Sequence, residues 1–374
     1  MRIYFTIIPL FLIFILSCQS NKKETLQEDN SHSFYVGTYT DGDSKGIYKY
    51  SLSADGMLQK VGLAAVSNNP SFLAKSANGK YLLAVNEISN NDTVGTVESY
   101  LIEGDSLTLI NRRSSGGAHP CFVTTNKNDY VLTANYTGGN IGLLKINNQG
   151  TLTQLLDIQQ HYGKGITERQ EAPHAHSTWF TDNGTNIISV DLGTNELWFS
   201  QLDTLTDKLI PSGQRTLKMA PGDGPRHLAF HPNHKFIYVL NELNNMVTLV
   251  EKDSTGQYKT GISISMLPDN YSEKNKGADI HISSDGNFLY ASNRGHNSIA
   301  IYQIDETNGS LKLLDHEATR GDAPRNFSLS PDENYLLVAN QFTNNIISFK
   351  RDKVTGLLQF VDAIDAPTPV CILF

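Results

Sequence analysis

A unit of about 50 residues recurs along this 374-residue chain, and the repetition constrains the fold more than any other feature. Each copy opens with a proline and a short apolar strand, passes through a polar turn, and closes a second apolar strand with asparagine. The proline position of the complete copies is occupied by Pro70, Pro120, Pro173, Pro225, Ala278 (in place of proline) and Pro324. A repeat of this length indicates one supersecondary unit per copy.

Two further strands complete each copy. A third strand such as NIGLLKI or NSIAIYQI is followed by a fourth such as LTQLLDI or LKLLDHE, so that every unit is a four-stranded β-meander. At the ends of the chain, SFYVGTYT matches the second strand of the unit and PTPVCILF matches the first. One unit is therefore divided between the two termini, and its C-terminal strand must pair with the N-terminal strand.

This divided unit predicts that residues 33–374 form an all-β, seven-bladed β-propeller, closed by pairing of the C-terminal strand with the N-terminal strand. A single four-stranded blade has two apolar faces and cannot bury them alone, whereas a closed ring buries each face against a neighbour. A pair of β-sandwiches or an open solenoid is the competing fold. Neither explains a terminal strand that belongs to the first repeat.

The N-terminus is predicted to be an export signal. Arg2 precedes an apolar run of about 14 residues, which suits a signal peptide over 1–17 and is short for a membrane-spanning helix. The run ends in a Leu-Ser-Cys pattern at Cys18 that is typical of bacterial lipoproteins, and residues 18–32 are expected to be a lipidated cysteine followed by a flexible tether. We therefore expect an exported protein held on a bacterial membrane surface by its lipid; an uncleaved anchor is the alternative.

Composition excludes several functions. Thirty Lys and Arg against 38 Asp and Glu give a formal charge of −8, which argues against a nucleic-acid partner because phosphate binding needs a basic footprint. Three cysteines exclude a disulfide scaffold and a CxxC zinc site. The HExxH, GxxxxGK[ST] and GxGxxG motifs are absent from the sequence, and no serine is predicted in a GxSxG elbow between a strand and a helix, which disfavours serine catalysis and dinucleotide chemistry. We expect a monomer without a cofactor.

Two rings of side chains are predicted at one rim of the channel, where the innermost strand of each blade begins beside the end of the second strand. The ring that follows the proline position comprises Val370, Ser71, Cys121, His174, Arg226, Asp279 and Arg325. The ring that follows the asparagine position comprises Tyr39, Glu87, Tyr136, Leu192, Glu242, Arg294 and Gln341.

Ionisable side chains are concentrated on three adjacent copies in and beside these rings: His174, His176, Arg226, Glu242, Asp279, His281 and Arg294. Such a cluster in a concavity predicts a binding or catalytic site, with solvated rim charges as the alternative. A carboxylate or imidazole beside two arginines is able to activate water and hold an anion. Three histidines and Asp279 also allow a metal site, although we expect none.

The segments FYVGTYT, EAPHAHS, GDGPRHLAFHP, YVLNE and SNRGHNSIAIY are similar to those of the seven-bladed β-propeller lactonases. This family includes bacterial 6-phosphogluconolactonase and the fungal carboxymuconate lactonizing enzyme, and the resemblance covers essentially all of 33–374. It implies a metal-free hydrolase of a sugar lactone, of the 6-phosphogluconolactonase type, in carbohydrate metabolism. A pentose phosphate pathway lactonase belongs in the cytoplasm, whereas this N-terminus predicts export, so a different lactone outside the cell or a fold without activity remains open.

The family's proposed site contains a histidine, a glutamate and two arginines. Matched by motif, these are His174 with His176 beside it, Glu242, Arg226 and Arg294, with Arg325 as the alternative second arginine. The implied mechanism has the arginines hold the anion and polarise the ester carbonyl, while Glu242 and His174 share acid and base duties. Predicted substrate-binding residues are Arg325, Asp279, His281, Glu87, Tyr136 and Arg169.

The loop 161–172, which carries Lys164 and Arg169, is predicted to be an anion-binding lid or a plain surface insertion. Two other functions remain open for the whole chain. One is a non-catalytic surface propeller that binds a glycan or a protein, and the other is a cyclase that runs the lactone reaction in reverse.

Overall fold

The computed structural model describes residues 1–4, 31–89, 94–181 and 184–374. In these ranges the chain forms seven four-stranded antiparallel sheets and one short 3-10 helix, Glu168–Gln170. Cys18 and most of the predicted signal peptide and tether lie outside the described residues. The first strand begins at His32, and none of the described helical residues forms a segment long and apolar enough to cross a bilayer.

Each sheet is one blade, numbered here from 1 to 7. Blade 1 comprises β28 (Pro369–Leu373), β1 (His32–Thr38), β2 (Gly46–Leu52) and β3 (Leu58–Val66), and blade 2 comprises β4 (Phe72–Lys75), β5 (Tyr81–Asn86), β6 (Thr96–Glu103) and β7 (Ser106–Ser114). Blade 3 comprises β8 (Pro120–Thr125), β9 (Tyr130–Asn135), β10 (Asn140–Lys145) and β11 (Asp157–Gln160), and blade 4 comprises β12 (Ala175–Phe180), β13 (Asn186–Asp191), β14 (Glu196–Asp203) and β15 (Lys208–Lys218). Blade 5 comprises β16 (Pro225–Phe230), β17 (Phe236–Asn241), β18 (Met246–Lys252) and β19 (Tyr258–Ser265). Blade 6 comprises β20 (Lys276–Ile282), β21 (Phe288–Arg294), β22 (Ser298–Ile304) and β23 (Leu311–Ala318). Blade 7 comprises β24 (Pro324–Leu329), β25 (Tyr335–Asn340), β26 (Asn345–Arg351) and β27 (Leu358–Asp365).

The blades close into a ring. The first strands of neighbouring blades contact one another around the full circle, which places these strands innermost. Strand β28 pairs antiparallel with β1, with Tyr35 opposite Leu373 and Val36 opposite Ile372. The predicted all-β, seven-bladed propeller closed by its two terminal strands is therefore confirmed.

Apolar side chains between facing blades hold the ring together. Between blades 5 and 6, for example, Tyr238 and Leu240 pack in one buried cluster with Leu289 and Ala291. Each buried Å² of apolar surface contributes roughly 25 cal/mol, and each blade gains this on both of its faces. Closure of the ring therefore buries the apolar surface that a single blade would leave exposed to water.

In blades 2, 3, 6 and 7 the repeated asparagine ties the second strand to the connection that enters the blade. The side-chain amide of Asn86 donates to the Asn68 carbonyl at 2.9 Å, and that of Asn293 donates to the Met266 carbonyl at 2.7 Å. Both asparagines are buried, so these bonds satisfy carbonyl groups that water does not reach. The next residue is thereby held at the mouth of the channel, where the predicted second ring lies.

Candidate active site

Glu242 lies at the centre of a group of arginines at the channel mouth, directly after β17. Its Oε2 is 2.9 Å from Arg294 Nη2 and 3.2 Å from Arg226 Nε, and its Oε1 is 3.3 Å from Arg169 Nη2. The glutamate is 4% exposed. Burial opposes its ionisation, but Arg294, Arg226 and Arg169 prevail and lower the pKa of Glu242 to about 2. Glu242 is therefore a carboxylate at neutral pH.

The two arginines predicted as catalytic connect blades 5 and 6. Arg226 Nη1 donates to the carbonyl of Ala278, and Arg294 Nη2 donates to the carbonyl of Gly277 at 2.8 Å. The Nε atoms of both arginines are buried and lack a hydrogen-bond partner among the described residues. Arg226 Nε does form an ion pair with Glu242, but its N–H is not aligned for a hydrogen bond. Burial and the charge of Arg294 lower the pKa of Arg226 to about 10. Positive charge therefore exceeds negative charge here, which favours an anionic ligand.

His174 lies beside this group and is linked to it through Tyr136. The imidazole stacks on the Tyr136 ring with centroids 4.5 Å apart, and Nδ1 is 3.1 Å from the Tyr136 carbonyl oxygen. Its Nε2 is 3.3 Å from Oε1 of Glu171, an exposed side chain. The Tyr136 hydroxyl accepts a 2.8 Å hydrogen bond from the same Arg169 Nη2 that contacts Glu242. The structure thus brings together five of the predicted residues: Tyr136, His174, Arg226, Glu242 and Arg294.

A buried histidine–aspartate contact that the sequence analysis missed lies behind His174. Asp191 occupies the asparagine position of blade 4, and its Oδ2 is 2.7 Å from His161 Nδ1. Its Oδ1 accepts a 2.9 Å hydrogen bond from the backbone N–H of His174. His161 also stacks on Trp198 with centroids 4.3 Å apart. The signal that would have found this pair is the aspartate standing where most of the other copies have asparagine.

The loop 161–172 is anchored to the propeller and carries a cation into the site. Gln170 is fully buried and its amide donates to the Leu192 carbonyl at 2.9 Å and to Asn195 Oδ1 at 3.0 Å. This anchor holds the 3-10 helix that presents Arg169. Burial opposes the charge of Arg169, but the Tyr136 hydroxyl and Glu242 raise its pKa. Lys164 is exposed, and anion binding by the loop stays a prediction.

Two of the predicted site histidines differ in their surroundings. His176 is buried below the mouth, with Nδ1 3.8 Å from Cys121 Sγ. Burial and the charge of Arg226 hold the pKa of His176 well below its ordinary value. A neutral imidazole with such a low pKa is a weak base, so His174 is the better placed of the two to accept a proton.

Asp279 and His281 belong to a neighbouring cluster, which contacts the arginine group through His227 Nε2, 3.3 Å from Arg226 Nη1. The Asp279 carboxylate is 2.8 Å from His227 Nδ1, 3.1 Å from His281 Nε2 and 2.5 Å from Asn326 Nδ2. Despite burial, His281 and His227 lower the pKa of Asp279, and its oxygens are occupied within the protein. Substrate contact by Asp279 and His281 stays a prediction. In the described ranges, no three His, Cys, Asp or Glu side chains are arranged to hold a metal.

Aromatic side chains cross the channel below the mouth. The Phe72 ring of blade 2 lies 4.4 Å from the Phe122 ring and 6.0 Å from the His227 ring of blade 5, between centroids. Phe122 also lies 4.7 Å from the ring of Trp179 in blade 4. Phe72 of blade 2 and His227 of blade 5 approach one another across the axis, so these rings narrow the channel below the mouth. A ligand would therefore approach the site from the mouth.

On the other side of the mouth, Arg325 belongs to a different group. Its Nη2 donates to the Tyr39 hydroxyl at 2.8 Å, and that hydroxyl donates to Glu87 Oε2 at 2.8 Å. Burial raises the pKa of Tyr39, so its proton stays in place. Arg294, and not Arg325, is therefore the arginine that contacts Glu242.

The chain is similar to proteins of known class. Residues 33–374 match the family model described as lactonase, 7-bladed beta-propeller. The 6-phosphogluconolactonase of Bacillus subtilis is 37% identical over 298 residues, 78% of this chain and 83% of that protein. The 6-phosphogluconolactonase of Formosa agariphila is 36% identical over 309 residues, 79% of this chain and 85% of that protein. The solved structure of a periplasmic gluconolactonase from Pseudomonas aeruginosa is 26% identical with a TM-score of 0.86, over 91% of this chain and 98% of that chain. The chain therefore belongs to the seven-bladed β-propeller lactonase family.

Proposed function

We propose that the chain hydrolyses a sugar lactone at the mouth formed by blades 4 to 6. The observation that carries this proposal is the sharing of Glu242 by Arg169, Arg226 and Arg294 beside the imidazole of His174. Membership of the lactonase family and the names of its relatives in Bacillus subtilis and Formosa agariphila support it. The reaction opens the ring ester by adding water across the acyl carbon–oxygen bond.

Arg226 and Arg294 are the electrophilic groups of the proposed site. Their guanidinium groups bring positive charge to the mouth beside Glu242, where they would stabilise the ester carbonyl oxygen as it gains negative charge. Donors fixed in a water-poor site stabilise such an oxyanion strongly. Glu242, with its pKa near 2, is a poor proton acceptor at neutral pH. Its role in this mechanism is to hold the guanidinium groups in place.

His174 is the proposed general base. The Tyr136 carbonyl oxygen faces Nδ1, which assigns the Nδ1 proton to a hydrogen bond with that oxygen and leaves the Nε2 lone pair for a water molecule. Glu171 faces Nε2 at 3.3 Å, but its side chain is 64% exposed and free to move aside or to pair with the imidazolium that forms. Asp191 and the stacked Tyr136 fix the position of the imidazole.

The steps balance as follows. Water gives a proton to His174 Nε2 while its oxygen bonds to the acyl carbon, and the carbonyl oxygen becomes an oxyanion. The oxyanion then reforms the carbonyl, the bond from the acyl carbon to the ring oxygen breaks, and the ring oxygen takes the proton back from His174. The product is an open-chain hydroxy acid, which ionises at neutral pH. Lactones open readily without help, so acid–base assistance of roughly 10²–10⁴-fold is sufficient.

Two substrates follow from the relatives. Two curated relatives are named 6-phosphogluconolactonases and one solved neighbour a periplasmic gluconolactonase, so 6-phosphogluconolactone and glucono-δ-lactone are the two candidates. A role in the pentose phosphate pathway belongs to the first candidate alone.

We also propose a monomer that is exported and lipid-anchored through Cys18. The sequence pattern before Cys18 supports this location, and mass spectrometry of the mature N-terminus tests it.

Turnover by the purified propeller, residues 31–374, tests the proposed function. Acid release at constant pH reports hydrolysis of both lactones above the uncatalysed rate. We expect acceleration of at least one of them, and a loss of that acceleration in Arg226→Ala with the thermal unfolding temperature recorded beside it. Absence of acceleration with both lactones would refute hydrolysis of these substrates and favour a binding role for the mouth.

A further inference from the structure

A cavity of about 610 Å³ adjoins the site between blades 6 and 7. Its charged lining consists of Lys274, Lys276, Arg294, Arg325 and Asp322. We call this cavity the basic cleft. Four cationic side chains thus face one carboxylate, which itself accepts a hydrogen bond from Asn297. A cavity of this size holds a sugar ring together with a charged substituent.

The pairing of Lys276 with Arg294 in the blade 6 sheet connects the basic cleft to the proposed reaction centre. Lys276 is the first residue of β20 and lies directly across from Arg294 of β21 in the antiparallel register. Arg294 contacts Glu242 through Nη2, so a ligand that reaches from Arg294 to Lys276 spans both the proposed electrophilic site and the cleft. Arg325, whose Nη2 is bound to the Tyr39 hydroxyl, closes the blade 7 side.

The lysines of the cleft are not engaged in ion pairs among the described residues. Neither Lys274 nor Lys276 forms an ion pair or a side-chain hydrogen bond there, whereas the carboxylate of Glu242 is already shared by three arginines. Burial and the charge of Arg169 lower the pKa of Lys276, and the attraction of Glu242 does not offset them. A bound dianion would relieve this repulsion, and phosphate oxygens suit lysine and arginine donors alike.

We propose that the basic cleft binds a phosphate group carried outside the lactone ring, and that Lys276 sets the preference for a phosphorylated over a neutral lactone. The inference rests on the proposed function and deepens it by naming the substrate class. It separates two duties: Arg226 and Arg294 serve the ester carbonyl, and Lys276 with Lys274 serves the phosphate. Phe342, which is 66% exposed, lines the cleft and offers an apolar face to the sugar.

The test compares two lactones in one variant. In Lys276→Gln, kcat/KM for 6-phosphogluconolactone should fall by about 10- to 100-fold, mainly through KM, because a charged hydrogen-bond partner of the phosphate is lost. The value for glucono-δ-lactone should change by less than about twofold, since that substrate has no phosphate. Lys235→Gln is the matched control, because Lys235 is an exposed lysine that lines a different cavity, away from the mouth. It should leave both values unchanged.

Binding of the product gives a readout that does not depend on turnover. Calorimetry should show 6-phosphogluconate binding wild type more tightly than gluconate, with the difference abolished in Lys276→Gln. If neither lactone is hydrolysed but this difference is seen, the proposed function fails and the phosphate subsite stands. If lactones are hydrolysed and Lys276→Gln affects both equally or neither, the phosphate subsite is refuted.

Discussion

Glu87 of blade 2 and Glu242 of blade 5 occupy the same position of the repeat, one residue after the asparagine position, and yet have different neighbours. Three guanidinium groups surround Glu242, which is buried. Glu87 is half-buried and accepts a hydrogen bond from the Tyr39 hydroxyl. The fold therefore places equivalent positions around the mouth, and the adjoining side chains decide which of these positions are suited to chemistry.

The same contrast holds for the position after the proline. It carries an imidazole in His174 of blade 4 and a guanidinium in Arg226 of blade 5, but a hydroxyl in Ser71 of blade 2. We call His174, Arg226, Glu242 and Arg294 the reactive half of the mouth. Tyr39, Ser71 and Glu87 are the opposite half. Matched substitutions in the two halves test whether only the first is catalytic.

The largest difference is expected between His174→Gln and Ser71→Ala. Loss of the general base should lower kcat/KM for lactone hydrolysis by about 10²–10⁴-fold. Ser71→Ala should stay within about threefold of wild type, because the Ser71 hydroxyl is buried without a hydrogen-bond partner among the described residues. Steady-state kinetics on the same lactone measures both. A folded His174→Gln variant with the wild-type rate would remove His174 from the mechanism.

The paired glutamates give the next comparison. Glu242→Gln should lower kcat/KM by about 10²–10³-fold, because the arginines lose the charge that aligns them toward the carbonyl oxygen. Glu87→Gln should change it by less than about threefold, since the Tyr39 hydroxyl is able to bond to an amide oxygen as well. Equal losses in the two variants, at equal thermal unfolding temperatures, would show that the mouth does not divide into two halves.

A smaller effect is expected from Asp191→Asn, which restores the residue found at this position in blades 2, 3, 5, 6 and 7. Without the carboxylate that contacts both His161 and the backbone N–H of His174, that N–H is held less firmly, and kcat should fall about tenfold. KM should change little, because Asp191 lies behind the imidazole. A double-mutant cycle with His161→Gln should be non-additive. Additive losses would show that the pair does not act as a unit.

The charge of Glu242 should also appear in the pH dependence of stability. Its pKa is about 2 in the folded protein, below the ordinary value of 4.5, so the stabilisation is complete above pH 4.5 and is lost as the pH falls toward 2. This group should contribute on the order of 3 kcal/mol to the free energy of unfolding over that range. Denaturant unfolding at several pH values should show a steeper acid loss in wild type and Glu87→Gln than in Glu242→Gln. Parallel curves for all three proteins would contradict the arginine-sharing geometry.

Much of the fold was predictable because the repeat defines both the strands of each blade and the closure of the ring. The proline and asparagine positions recur, and a terminal strand that matches the first repeat permits only a closed ring. The positions of Arg226 and Glu242 at the mouth follow from the same register. What the repeat does not specify is the direction of long side chains, so the choice between Arg294 and Arg325 required coordinates.

The residues that sequence reasoning missed act through contacts between distant segments. His161 meets Asp191 only because the loop 161–172 folds back over blade 4. His227 takes part in the Asp279 cluster because the bulged start of β16 turns its imidazole toward the channel. Neither contact has a fixed spacing in the chain. The only sign of the His161–Asp191 contact in the sequence is the aspartate at the asparagine position of blade 4.

Direct observation of a bound product tests the division of the mouth most directly. Crystals soaked with 6-phosphogluconate should show the carboxylate of the sugar acid against Arg226 and Arg294, on the side of His174, and the phosphate toward Lys276. The reactive half would then be the half that binds the ester. Density for the sugar acid against Tyr39 and Glu87, with the arginines around Glu242 unoccupied, would contradict the account.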